Sequence, residues 1–406
     1  MRLFPCVFVV VASACGPLTP LQPDAGRGGG TAGGGSAGGF VFAGGQGGGS
    51  SGGMSAGGSA GGNAGGAAGG NAGGSAGGSA GGSAGGSAGG AADAGLGTFV
   101  WSNLVALPAP GSLTYAIAVS SRPGEAWVGM DNGKLYRSTG AAFTDVAGLS
   151  ISGLADVQVT PAGKVFVVTQ GRTAHHCLAA DCSVAANFIV AMTSSTLDAF
   201  TSLCGLGERV FAVGNRDNAT GVLYEFDGVG AWMKVSNNLG ISSASECQVG
   251  PGGEVYVVGS AGVVRYENGA LTPETINLGG QPASSWNSIA LAVRNGAIVE
   301  AMIVGGGSGY RFARRDQATS SWNSLMPQTT GSTLSTVVAV SPTEFLAAGS
   351  GSPRFMAWTG TAWAAAMPAP PNTISSVRDA CATDSREVFL VGVDSSNAYT
   401  IIRGRR

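Results

Sequence analysis

The chain has 406 residues and a formal charge of −2, and only 11% of its residues are charged, against about a quarter in an ordinary domain. Its lysines are Lys134, Lys164 and Lys234, so a basic footprint for nucleic acid is excluded. No apolar run reaches the ~18 residues that a membrane-spanning helix requires.

The first elements in chain order are a leader and a tether. Arg2 is followed by the apolar stretch Leu3–Val11, then Ala12, Ser13, Ala14 and Cys15. A cation, a short apolar core and small residues predict a signal peptide over 1–14 rather than a membrane span. Of the 72 glycines, 36 fall between Gly26 and Gly97. Tetrads of the type GGSA or GGNA run most regularly from Ser55 to Ala92. Such a stretch buries too little to offset its ordering entropy, and its period of four excludes collagen. Residues 15–97 are therefore expected to form a disordered tether, spanning about 5–6 Å × √n, or roughly 50 Å for its glycine-rich part. It contains no GKS or GKT and so is no phosphate loop.

Small residues ending on Cys15 resemble the lipobox of bacterial lipoproteins, with a departure at Ala12, where that family prefers leucine. The resemblance implies a diacylglyceryl group on the Cys15 thiol and an acylated amine, a two-signal membrane anchor. Gly16 follows the cysteine in place of aspartate, and by analogy with the enteric sorting rule this implies the outer membrane, periplasmic or surface-exposed.

Residues 98–406 repeat a β motif. Its second runs align as GEAWVGM (124–130), GKVFVVT (163–169), ERVFAVG (208–214), GEVYVVG (253–259), GAIVEAMIVGG (296–306), TEFLAAG (343–349) and REVFLVG (386–392). Each follows another apolar run, and the first runs begin near residues 113, 153, 199, 243, 285, 333 and 373. Seven all-β units of this length match the period of a β-propeller, with six or eight blades as the alternatives. Val165 and Val167 alternate with Phe166 and Val168, apolar on both faces, as a blade packed between two others requires.

An aromatic marks the fourth run of several units: Phe143, Trp232, Trp322 and Trp363. The seventh unit lacks such a run, whereas GTFVWSNLVALP (97–108) opens the domain and matches GTAWAAAMP (360–368). The opening strand is thus expected to close the last blade, with Trp101 beside residues 398–404.

The histidines are His175 and His176, which point to opposite faces of a strand and do not share a metal; a surface or turn position is expected. No metal site, catalytic residue or cofactor is assigned. Cys177 and Cys182 bracket four residues and are expected to pair across a hairpin end. Cys204 and Cys247 share one register in neighbouring units and are expected to bridge. Cys381 lies one position out of that register and is expected to be a buried free thiol.

MDNGKLYRS (130–138) resembles the Asp-box turn of sialidase-like propellers, keeping Asp131, Gly133 and Tyr136; a tight Asn-Gly turn accounts for it equally. The repeats as a whole resemble those of kelch- and BNR-like proteins.

Two functions compete. The first is a monomeric, lipid-anchored binding or scaffolding module with a protein or polysaccharide ligand and no enzymatic activity. Its candidate ligand face comprises Asp131, Asn132, Arg172, Arg216, Asp217, Asn218, Arg354 and Asp394, all between second and third runs. The second is a carbohydrate-active, sialidase-like enzyme. It would need polar first-run residues to converge in a central channel, and Tyr115, Asp156, Glu246, Arg378 and Asp379 are those present.

Overall fold

The structure is a computed structural model describing residues 98–104, 116–140, 142–194, 198–217, 220–260, 262–279, 285–306, 309–325, 333–366, 368–371, 374–384, 386–395 and 398–406. The chain divides into two units, Met1–Ala92 and Asp93–Arg406, and every described residue belongs to the second. The expected signal peptide, Cys15 and the glycine tether lie outside the described residues, as do Tyr115 and Asn218.

Seven antiparallel blades follow one another. Blade 1 is Ala116–Arg122, Glu125–Met130, Leu135–Ser138 and Thr144–Asp145. Blade 2 is Leu154–Val159, Val165–Thr169, Thr173–Cys177 and Ile189–Thr193. Blade 3 is Asp198–Leu206, Arg209–Arg216, Thr220–Phe226 and Trp232–Ser236. Blade 4 is Ala244–Val249, Val255–Gly259, Gly262–Glu267 and Ala270–Glu274. Blade 5 is Ser285–Arg294, Ala297–Gly306, Arg311–Asp316 and Ser321–Leu325, with Ile276–Asn277 added in parallel to its outer edge. Blade 6 is Thr333–Ser341, Glu344–Ser350, Phe355–Trp358 and Trp363–Ala365. Blade 7 takes Ile374–Asp384, Glu387–Asp394 and Tyr399–Arg405, and its fourth strand is Val100–Leu104.

Each first strand touches the first strands of the blades on either side, and that of blade 7 touches that of blade 1. The blades therefore form a closed ring around the first strands, a seven-bladed β-propeller. Closure occurs in the expected register: Trp101 opposes Gly404, and Val100 and Leu104 oppose Arg405 and Ile401. The Trp101 Nε1–H donates to the Pro368 carbonyl at 3.0 Å, so the closing strand also holds blade 6.

The core lies in the seams rather than at a single centre. Seven apolar clusters among the described residues correspond to the seven seams. Second strands such as Val165–Thr169 and Val255–Gly259 are buried along their whole length, because both faces meet a neighbour. The fourth-run aromatics fill the seam with the preceding blade: Trp232 between blades 2 and 3, Trp322 between 4 and 5, Trp363 between 5 and 6. Full burial of one such ring contributes about 1.5–3 kcal/mol. Polar ties reinforce the packing. Buried Glu274 of blade 4 accepts from Arg315 of blade 5 at 2.8 and 2.9 Å and from the Trp322 indole at 2.8 Å.

The outer strand of blade 2, hard to place in the sequence, follows a single 3-10 turn, Ala185–Asn187. The histidines depart from the surface position expected of them. Both lie on the third strand of blade 2, where alternation leaves His175 half-buried and drives His176 inward to 1% exposure.

Candidate functional site

The first strands share a local irregularity that shapes the channel. In every blade the pairing between first and second strands skips one residue, a β-bulge: Ala155 in blade 2, Thr201 in blade 3, Ser245 in blade 4, Asn287 in blade 5 and Ser335 in blade 6. Blade 7 has the equivalent bulge at Arg378 and two further ones, at Ser375 and Thr383. The glycine that ends most second runs sits opposite this bulge. A Cβ on Gly259 would lie 1.6 Å from the Ser243 carbonyl oxygen, so only glycine allows that approach.

The residues just after the bulge are Ala118, Asp156, Ser202, Glu246, Ser288, Thr336 and Asp379. Several reach across the seam to a backbone amide of the next first strand. Asp156 Oδ2 accepts from Leu203 at 2.6 Å, Ser288 Oγ from Val337 at 2.9 Å, and Asp379 Oδ2 from Val119 at 2.8 Å. Glu246 lies beside the Ser288 hydroxyl and the Ile289 amide, both of which favour its charged form. The seam between blades 1 and 2 uses Ser120 Oγ, which accepts from Val159 at 3.0 Å. Blades 3 and 4 are joined by the Cys204–Cys247 disulfide, and Thr201 Oγ1 donates to the Ala244 carbonyl at 2.9 Å. Between blades 6 and 7, Ser350 pairs with Ser376, merging the two sheets.

The structure thus places Asp156, Glu246 and Asp379 in one ring, where each feels the field of another. All three remain half-buried by surface area, yet the surrounding ring removes most of the water that would solvate a charge. Burial pushes the Asp156 carboxyl up to about 6. Burial, then the Asp156 charge, pushes Asp379 up to about 8. Glu246 is raised well above the usual carboxylate range by burial and then by Asp379. Among the described residues no group of three His, Cys, Asp or Glu is arranged to hold a metal ion. Arg378, at the bulge beside Asp379, is half-buried and has no side-chain hydrogen bond or ion pair among the described residues.

The expected ligand-face residues fall, apart from Asn218, in the turns between second and third strands or at their borders, at one end of the blades. Several serve the fold. Asn132 Oδ1 accepts from the Lys134 amide at 3.0 Å and Asp394 Oδ1 from the Ala398 amide at 2.8 Å, closing their own turns. Arg354 donates to the Ile374 carbonyl, across the seam between blades 6 and 7. Arg216 pairs at 3.0 Å with fully buried Asp198, which also accepts from Tyr224 Oη and Lys234 Nζ. Asp131 borders the turn closed by Gly133, whose φ of +82° and contact with the Ile151 backbone fit the Asn-Gly reading. Arg172 and Asp217 stand at left-handed positions, φ +71° and +50°. Asp217 is exposed, and the Arg172 side chain has no polar partner among the described residues.

Both expected disulfides are present, Cys177–Cys182 and Cys204–Cys247. One detail of the expectation is corrected. Counted from the bulge, Cys204 is one position further along than Cys247, so the two do not share a register. Cys381 is a free thiol but only half-buried, and it occupies the same position as Cys204 rather than one out of step. Its Sγ lies 3.1 Å from Ser121 Oγ.

No family model matches this sequence, and no curated protein matches it. Solved structures do. Virginiamycin B lyase from Staphylococcus aureus superposes with a TM-score of 0.61 at 11% identity, covering 76% of this chain and 99% of that one. YCF48 from Cyanidioschyzon merolae gives 0.56 at 13% identity over 75% of this chain and 98% of that one. U3-55K gives 0.58 at 9% identity over 75% and 98%. At such identities the likeness is one of fold.

Proposed function

We propose that this protein is a cell-envelope lipoprotein whose propeller is a monomeric, non-catalytic binding module, anchored through Cys15 and held off the outer membrane by residues 15–97. The observation that carries the reading is where the chain joins the ring. Val100 opposes Arg405 and Leu104 opposes Ile401, so Phe99 lies where third strands finish. The turns bearing Asp131, Arg172 and Asp217 lie at the other end of the blades. That end faces away from the point of attachment, which suits display of a protein or polysaccharide ligand site.

A catalytic reading finds less support. The fold is shared with a lyase whose catalytically inactive variant replaces a histidine, whereas both histidines of this chain lie on the third strand of blade 2, away from the first-strand carboxyls. The first-strand carboxyls that a sialidase-like enzyme would use, Asp156 and Asp379, are bonded to backbone amides.

Two measurements test the proposal. The mature protein is expected to begin at Cys15 with acyl chains by mass, and Cys15→Ser to release soluble protein; an unmodified start elsewhere removes the anchor. Labelled full-length protein is expected to be retained by purified peptidoglycan sacculi or lipopolysaccharide. Arg172→Ala combined with Asp217→Ala should lower that retention, and equal retention by the variant would sink the face assignment.

A further inference from the structure

Among the described residues, His176 is a deeply buried titratable group that no hydrogen bond explains. It is 1% exposed, and neither Nδ1 nor Nε2 has a hydrogen-bond partner among the described residues. Its ring sits between blades 2 and 3, edge-on to Phe226 at 5.2 Å and to Phe166 at 6.1 Å. Trp232 completes the cluster, 5.6 Å from Phe226 and 6.1 Å from Phe166, and its Nε1–H is also buried without a partner among the described residues. An imidazole here is tolerated only while neutral, because a charge among these rings would lose its hydration and gain no counter-ion.

We propose that the seam between blades 2 and 3 is an acid-labile joint with His176 as its sensor. The groups around it compensate the added charge only in part, and burial outweighs them. On its own strand, His175 points the other way and meets Thr173 Oγ1 at 3.1 Å. The flanking strands of blade 2 offer Phe166 and Ile189. From blade 3, Asp227 is the carboxylate that favours protonation, but its Oδ1 already accepts from the amides of Val229, Gly230 and Ala231 at 2.8–2.9 Å. Asp198 in the same seam is taken by Arg216, Tyr224 and Lys234. At the channel end stands Asp156, whose proton uptake has the opposite effect on stability.

The sign follows from linkage. Burial lowers the His176 affinity for protons below that of a free imidazole. Above about pH 6.5 both closed and opened seams hold it neutral and it contributes no pH dependence. Below that, the opened seam takes up a proton that the closed seam refuses. The opening equilibrium then rises by about tenfold per pH unit, until the closed-state value is reached. Opening bares Phe166, Phe226 and Trp232, so acid turns a sealed seam into an apolar patch.

Hydrogen exchange of the full chain at pH 7.5 and pH 5.5, corrected for intrinsic rates, tests this. Peptides over 164–178 and 221–234 are expected to lose protection by up to about tenfold at the lower pH, while a peptide over 286–304 in blade 5 keeps its own. His176→Phe, or His176→Leu where the larger ring disturbs packing, should abolish the loss. His175→Gln and Asp156→Asn should retain it. An acid response spread evenly around the ring, or one unchanged in both His176 variants, overturns the proposal.

Discussion

Cys381 stands in blade 7 where Cys204 stands in blade 3, two residues past the one that follows the bulge. Cys204 bonds Cys247 of the next blade. The residue in blade 1 that corresponds to Cys247 is Val119, which packs in the same cluster as Cys381. The seam between blades 3 and 4 is therefore bridged at this position, and the seam between blades 7 and 1 holds a single thiol at the equivalent place.

Val119→Cys is accordingly expected to bond Cys381 on oxidation and fasten blade 7 to blade 1. Peptide mapping without reductant should show Cys381 no longer alkylated. A correctly formed bridge should add about 2–4 kcal/mol to stability. Persistent alkylation of Cys381 would contradict the shared register.

Ring closure predicts that two nearby truncations behave differently. Removing 1–95 leaves Phe99 and Trp101 in place, the former buried against blades 6 and 7 with the Arg406 guanidinium 3.9 Å over its ring. Removing 1–104 strips the whole fourth strand of blade 7. The second truncation should lose the ~1.5–3 kcal/mol of a buried aromatic at the least, plus ladder hydrogen bonds. Equal melting temperatures would count against closure by Val100–Leu104.

The channel carboxyls predict a loss of stability in alkali. Asp379 titrates near 8 in the fold, against an ordinary value of 3.8. Its folded-state proton affinity is raised, so its favourable contribution is complete below 3.8 and is lost as pH climbs towards 8. Asp379→Asn should melt higher than the parent at pH 8–9 and gain little at pH 4, its one amide oxygen keeping the bond from Val119 and giving up that from Ala380. Parallel melting curves for the two proteins across that range would refute the sign.

Gly259→Ala tests the bulge. The added carbon would meet the Ser243 carbonyl oxygen at 1.6 Å, and the backbone must shift to admit it. A cost of about 3 kcal/mol or more in denaturant unfolding is expected, at or above the upper end for overpacking. Gly140, which has nothing within 4 Å of a built Cβ, should accept alanine within about 0.5 kcal/mol.

The blade count and closure were legible because they rest on repetition. GTFVW at the head of the domain matches GTAW in blade 6, and both place a tryptophan in a seam. The ring of Asp156, Glu246 and Asp379 was partly legible, since each is a rare charge on an apolar first run. The bulge is not legible in the apolar pattern, and the true register of Cys204, Cys247 and Cys381 depends on it. Its signal was present as the glycine that ends GEVYVVG and its counterparts, which reads as a turn residue until its close approach to a carbonyl is known. The burial of His176 was missed for another reason. Strand alternation separates the two histidines, but the aromatic seam that receives one of them is built by Phe226 and Trp232, distant in sequence.

The pairing of Val100–Leu104 with Tyr399–Arg405 also fixes an order of events. The strand made first must wait for the strand made last, with some 295 residues between them. Contacts at such separation form late in folding. Until they form, Trp101 and the edge of Tyr399–Arg405 are both unpaired, and every growing chain passes through that open stage. A ring closed this way depends on both partners: a chain lacking Tyr399–Arg405 keeps six full blades and has nothing with which to pair its opening strand.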